Sequence, residues 1–181
     1  MLRKVKRTAL VFDLDGTLVD SVPDLAAAVN AALAERGAAP LSETAVQRMV
    51  GDGAPALAAR ALAASGLAED RNGAFLARFL AYYEAEPTAR TRPYPGVTET
   101  LSTLVENGCR LAVCTNKPEA ATRLVLAGLG LDRFFGAVLG GDSTPWKKPD
   151  ARHLLAAVAA LGAGPGEAVM VGDNENDAGA A

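Results

Sequence analysis

Four short apolar runs punctuate the chain, at Ala9 to Phe12, Leu111 to Cys114, Ala137 to Leu139 and Ala168 to Val171. Each is bounded by polar or turn-forming residues, the pattern of strands buried on both faces. Helical patterns separate the last three at the spacing of βαβ units, which predicts a parallel sheet covered by helices. Between the first run and the second lie roughly a hundred residues with only helical patterns. Leu25, Val29 and Leu33 repeat after Pro23 and stop at Gly37. Ser42 caps a second predicted helix through Val50, Leu57, Ala61 and Leu62 mark a third ending at Gly66, and Phe75, Phe79, Leu80 and Tyr83 a fourth stopped by Pro87. The segment "TARTRPYPG" returns to the sheet, and Gly96 opens the next helix. The expected architecture is α/β: a Rossmann-like parallel-sheet core from residues 1–19 and 93–181, with an α-helical domain inserted at 20–92.

Composition narrows the function. The 181 residues carry a net charge of −3 and no Lys/Arg stripe, so the basic field that nucleic acid requires is missing. No segment approaches the ~18 uninterrupted apolar residues of a membrane span. The charged start, Met1 to Arg7, is followed by an apolar run that Asp13 cuts short, too brief for a secretion signal. A cytoplasmic protein acting on a small molecule is expected. Cys109 and Cys114 are too few for a metal framework and too close for a structural disulfide, and read as buried thiols. His153, within the predicted helix "ARHLLAAVAALG", reads as a surface or packing residue.

The polar residues that follow the strands carry the chemistry. In an open parallel sheet, ligands bind beyond the carboxyl ends of the strands. Asp13 and Asp15 follow the first run, Thr115-Asn116-Lys117 the second, Gly140-Gly141-Asp142 the third, and Gly172 to Asp177 the fourth, with Lys147-Lys148-Pro149 in the loop before the last helix. Two carboxylates at the end of an apolar run are costly unless something compensates them. Asp13 and Asp173 can share a divalent ion, and neighbouring hydroxyl and ammonium groups can hold a dianion beside it. All-oxygen ligation plus a phosphate oxygen fits Mg²⁺.

Through "DLDGTLVDS", "CTNK", "KKPD" and "GDNEND", in that order, the sequence resembles the haloacid dehalogenase superfamily over essentially its whole length. The helical insertion after the first motif, with "TNKP" and "GGD", is most similar to its phosphoglycolate phosphatases. That resemblance implies an inserted helical cap and Mg²⁺-dependent hydrolysis of a small phosphorylated metabolite, 2-phosphoglycolate first among them. It implies Asp13 as nucleophile forming an aspartyl-phosphate, Asp15 as general acid and base, and Thr115, Asn116 and Lys148 as phosphate ligands, with Lys148 favoured over Lys147 by its place before Pro149. Mg²⁺ would be held by Asp13, the main-chain carbonyl of Asp15, and Asp173, supported by Asp177 and Thr17. In the cap, "RMVGDGA" is the candidate substrate-facing loop, with Gly51 and Gly53 permitting close approach and Arg48 available to a substrate carboxylate.

Two positions depart from the family pattern: Ala151 stands where a proline is usual, and Asn174 where Ser or Thr is common. Relatives continue beyond the helix in which Ala181 stands, so the core reads as truncated at its C-terminal end, with Asp177 expected to be poorly fixed on a short helix. A dehalogenase would lack Asp15, and a receiver domain would lack the insertion. A β-phosphoglucomutase-like phosphomutase, a phosphatase or pyrophosphatase of other substrate choice, and a non-catalytic fragment that binds metal or a partner remain as alternatives.

Overall fold

The computed structural model describes residues 8–181; the charged N-terminal segment weighed as a secretion signal lies outside them. Strands β1 (Ala9–Phe12), β4 (Arg110–Cys114), β5 (Ala137–Leu139) and β6 (Ala168–Val171) form a parallel sheet in the order β5-β4-β1-β6. Phe12 pairs in register with Val113 on one side and Val171 on the other. The chain therefore leaves these strands on one edge, carrying Asp13, Thr115 and Gly172 with it.

Alternation along the strands assigns the two faces. Phe12, Leu111 and Val113 face a core that includes Leu101 of α5 (Val97–Glu106) and Val125 and Leu126 of α6 (Glu119–Gly128). Val11, Ala112 and Cys114 face Leu154, Ala157 and Val158 of α7 (Ala151–Ala160) and Ala180 of α8 (Glu175–Ala180). Each fully buried Leu or Val contributes about 1.5–3 kcal/mol of apolar burial. Cys114 belongs to this packing, and burial pushes its thiol pKa up to about 12, which leaves it inert at neutral pH. Cys109 is only half-buried. Neither cysteine is oxidised. His153 packs in the core, its Nε2 3.3 Å from the Thr115 carbonyl oxygen.

The insertion holds α1 (Val22–Ala34), α2 (Glu43–Gln47), α3 (Ala54–Ala64) and α4 (Ala74–Ala85). Leu25, Val29 and Leu33 of α1 and Phe75, Phe79 and Tyr83 of α4 are buried in the same core as Phe12 and Val113, so the cap and one face of the sheet share a continuous apolar interior. Ser42 caps α2 by accepting from Ala45 N at 3.2 Å. That helix ends at Gln47 rather than Val50, because the following loop needs Gly51 at φ +125° and Gly53 at φ +91° to turn toward the core.

A two-residue ribbon that no sequence pattern announces, β2 (Val19–Asp20) with β3 (Arg92–Pro93), joins the two crossings between core and cap. Beside it the buried Asp24 carboxylate accepts from Arg90 N at 3.0 Å, Thr91 N at 2.7 Å and Thr91 Oγ1 at 2.7 Å. No helix among the described residues is long and apolar enough to cross a membrane.

Candidate active site

The turn after β1 fixes the first pair of carboxylates. Asp13 N continues the sheet ladder by donating to the Val171 carbonyl at 2.9 Å, and Leu18 N and Val19 N fold back on the Leu14 carbonyl at 2.9 and 3.1 Å. Gly16 adopts φ +88°, and a Cβ there would collide with the Asp173 carboxylate. Glycine thus lets two loops distant in sequence touch. Thr17 Oγ1 closes the same junction by donating to Asp173 Oδ1 at 3.0 Å.

Lys148 reaches the centre of this edge almost wholly buried, its Nζ 2.5 Å from Asp177 Oδ1 and 2.9 Å from Asp13 Oδ1. The approach to Asp13 is off the hydrogen-bond direction, so Asp13 Oδ1 is ion-paired yet has no aligned donor. Burial raises the Asp13 pKa to about 6 against the opposing pull of Lys148, with Asp177 adding to the rise. Burial also lowers the Lys148 pKa, but the facing Asp13 and Asp177 carboxylates outweigh it and the net shift is upward. Lys147, by contrast, is exposed and donates to the Asp52 carbonyl at 2.8 Å.

Asp177 is buried and firmly held, contrary to the expectation that a short helix would leave it loose. Its Oδ2 accepts from Asp173 N at 3.1 Å and Asn174 N at 3.2 Å, and its Oδ1 holds Lys148. Asn174 caps the start of α8 by accepting from Asn176 N at 2.9 Å. These capping bonds and the one long-range bond to Lys148 replace the stability that helix length would have supplied. Ligand oxygens of Asp13, Asp173 and Asp177 lie within 4.8 Å of one another. With both Asp177 oxygens engaged, Asp13 and Asp173 have the oxygens left to offer a cation, and an all-oxygen set suits a hard divalent ion.

Asp15 faces away from this cluster. Its Oδ1 accepts from Ser21 Oγ at 2.5 Å and from Lys117 Nζ at 3.1 Å, and its Oδ2 lies 3.2 Å from the same ammonium. Lys117 is buried, and its Nζ stands 4.3 Å from the centroid of the Tyr83 ring. Burial lowers its pKa, but Asp15 and Tyr83 more than reverse that, so it stays charged.

Asp13, Asp15, Lys117, Thr115 and Asn116 line a narrow cleft of about 40 Å³, closed on the cap side by Leu25, Val50, Leu57, Phe79, Leu80 and Tyr83. Thr115 is buried at the end of β4, where Thr115 N donates to the Leu139 carbonyl at 3.0 Å. The Asn116 side chain, expected at the phosphate, also ties two loops together. Its Nδ2 donates at 2.9 Å to both the Gly51 and the Lys148 carbonyls, which spends both amide hydrogens on clamping the cap loop and the lysine loop. Gly51 and Gly53 line the cleft, and a Cβ on Gly53 would stand 2.8 Å from the Asn116 carbonyl oxygen. Asn176 Nδ2 adds a 2.8 Å bond to Asp52 Oδ1, docking the loop on α8. Arg48 is exposed at the end of α2 and is not part of the cleft lining; the glycine loop turns inward only after it. Lys117, expected at this edge but given no role of its own, and Tyr83, read only as a helical core position, stand in the cleft.

The chain is similar to known proteins over most of its length. Phosphoglycolate phosphatases of Cereibacter sphaeroides (strain ATCC 17025 / ATH 2.4.3) and Rhodospirillum rubrum are 49% and 50% identical to this chain, each over 93% of it and over 78% and 73% of their own lengths. A crystal structure from Haemophilus somnus 129PT, described as a predicted phosphoglycolate phosphatase, superposes with a TM-score of 0.91 at 37% identity, covering 98% of this chain and 81% of that one. Residues 8–181 match the haloacid dehalogenase-like hydrolase family, and with the sheet, the cap and the acidic edge arranged as described, the chain belongs to that family.

Proposed function

We propose that this hydrolase is a Mg²⁺-dependent phosphomonoesterase whose substrate is 2-phosphoglycolate and whose intermediate is an aspartyl-phosphate on Asp13. The observation that carries the reading is the geometry at the end of β1: a buried carboxylate 2.9 Å from a buried ammonium, with Asp15 two residues on facing the cleft. The relatives named phosphoglycolate phosphatase supply the substrate.

Asp13 forms the bond to phosphorus as the bond from phosphorus to the leaving oxygen breaks. Asp15 gives that oxygen its proton, then takes one from the water that cleaves the aspartyl-phosphate and restores Asp13. The Lys148 ammonium and the Thr115 hydroxyl stabilise charge on the transferring phosphoryl oxygens. Asp13, Asp173 and the Asp15 carbonyl would hold Mg²⁺, which when bound neutralises charge shared by phosphate and nucleophile. Asp177 holds Lys148 and the 173–174 turn in place.

The test is phosphate release from a panel of 2-phosphoglycolate, sugar phosphates, nucleotides and pyrophosphate, with Mg²⁺ and with chelator. Preference for 2-phosphoglycolate, lost in chelator and restored by Mg²⁺, is expected. Full activity in chelator, or preference for pyrophosphate or a sugar phosphate, would overturn the reading.

A further inference from the structure

We propose that Lys117, assisted by the Tyr83 hydroxyl, is the subsite for a carboxylate on the substrate's leaving group, making the cleft selective for phosphomonoesters that carry a carboxylate on the carbon bearing the ester oxygen. The inference rests on the phosphatase reading above and assigns its substrate choice to two residues, one on the core and one on the cap.

Three observations converge on this pair. First, Lys117 is the one basic side chain among the described residues lining the cleft. Lys148 is committed to Asp13 and Asp177, Lys147 to the Asp52 carbonyl, and Arg48 is exposed outside the lining. A second anionic group on a bound ligand therefore meets Lys117 or no cation. Second, Tyr83 lines the same cleft on a side chain only 2% exposed, and its hydroxyl, buried beside Lys117, makes no well-aligned hydrogen bond. A poorly satisfied buried hydroxyl gains from a ligand acceptor placed in line with it. Third, Lys117 Nζ presents three N–H groups, and its neighbours are one carboxylate, Asp15, and the face of the Tyr83 ring. A ligand carboxylate would therefore share the ammonium with Asp15 rather than take an idle donor.

Distance sets the substrate class. The leaving oxygen must come within hydrogen-bond reach of Asp15, about 2.8 Å. Lys117 Nζ is 3.1 Å from that same carboxylate. A carboxylate on the carbon next to the ester oxygen extends about 3 Å beyond it and so falls within reach of the ammonium, which stands between it and Asp15. A longer polar leaving group would have to lie along Leu25, Leu57, Phe79 and Leu80, which offer it no hydrogen bond.

The experiment compares kcat/KM for 2-phosphoglycolate with kcat/KM for ethyl phosphate, which has the same carbon count and no carboxylate, in wild type, Lys117→Met and Tyr83→Phe. Removing Lys117 also alters Asp15, but that effect acts on both substrates and cancels in their ratio. Wild type should favour 2-phosphoglycolate, and the ratio should fall about 100-fold in Lys117→Met and about 5-fold in Tyr83→Phe, mainly through KM. Tyr83→Phe keeps the ring that packs over Lys117, so its result stands even if Lys117→Met folds poorly. Weaker binding of the product glycolate to each variant, measured by titration calorimetry, should accompany the change. An unchanged ratio in Tyr83→Phe and in folded Lys117→Met overturns the inference while leaving the phosphatase reading intact. A wild type that neglects 2-phosphoglycolate but favours another 2-phosphooxy acid overturns that substrate and supports the subsite. A wild type indifferent to the carboxylate overturns the subsite.

Discussion

Along the sheet edge, Lys148 is answered by two carboxylates, and one of these, Asp177, is itself held by two main-chain N–H groups. Beneath the cap, Lys117 has one carboxylate and an aromatic face, the Tyr83 hydroxyl beside it makes no well-aligned hydrogen bond, and Asn116 Oδ1 has no partner. Both regions are buried, so the difference is not one of solvent. Multiple partners fix groups that must act identically on any phosphomonoester. Groups with shared or poorly aligned partners suit the wall that must distinguish one leaving group from another.

Breaking the sheet edge should have the larger consequences. Asp13→Asn should lower turnover by at least about 10⁴-fold while the fold persists, since the amide retains the shape and loses the nucleophile; single-turnover phosphate release measures it, and substantial residual activity would remove Asp13 from the chemistry. Lys148→Met should cost about 10³-fold in kcat and about 3–5 kcal/mol in stability, because it leaves Asp13 and Asp177 as buried carboxylates without their cation. Denaturant midpoints alongside kinetics separate the two losses.

The raised Asp13 pKa adds a pH signature. In chelator, the folded protein keeps a proton on Asp13 up to about pH 6, whereas the unfolded chain releases it near pH 3.8. Stability should therefore decline as pH rises between those values and level off above them, by an amount on the order of 3 kcal/mol. In Asp13→Asn this segment of the curve should be flat. A wild-type profile parallel to that of the variant would mean that the carboxylate titrates normally.

On the cap side the effects should be smaller. Asn116→Ala removes the clamp between the Gly51 and Lys148 carbonyls and should raise KM about 10-fold with a lesser loss in kcat, the mark of a cap loop that seats less well. Arg48→Ala should change neither constant by more than about 2-fold, as expected for an exposed charge outside the cleft. A large, carboxylate-dependent effect there would move the specificity wall from Lys117 to α2.

What could be read in advance follows from how local each signal is. The four sheet strands are legible because each is an apolar run between polar residues, and the acidic edge because Asp13 and Asp173 stand at or just beyond strand ends in a topology that gathers them. The β2–β3 ribbon is not, since two residues carry no periodicity. Arg48 looked suited to a carboxylate because it precedes a glycine loop, yet the side of the turn on which it lies is decided by Gly51 and Gly53. Tyr83 showed only the helical spacing of a core residue. Its relation to Lys117 exists solely because α4 packs over the end of β4, a contact between residues 34 positions apart that no window along the chain contains. Asp177 went astray for another reason: helix length underestimates a side chain that is held by a capping box and by one distant lysine.

Asp24 has a mechanical consequence. A cap tied to its core by two passages of chain would ordinarily be able to sway on either one separately. Here the carboxylate sits at the start of α1, on the outgoing passage, and grips the main chain of residues 90 and 91 on the returning one. Pulling the passages apart means stripping a buried anion of its donors, whereas turning both together about that point disturbs none of them. The joint therefore couples the two passages at the base of the cap, through a residue remote from the phosphoryl chemistry.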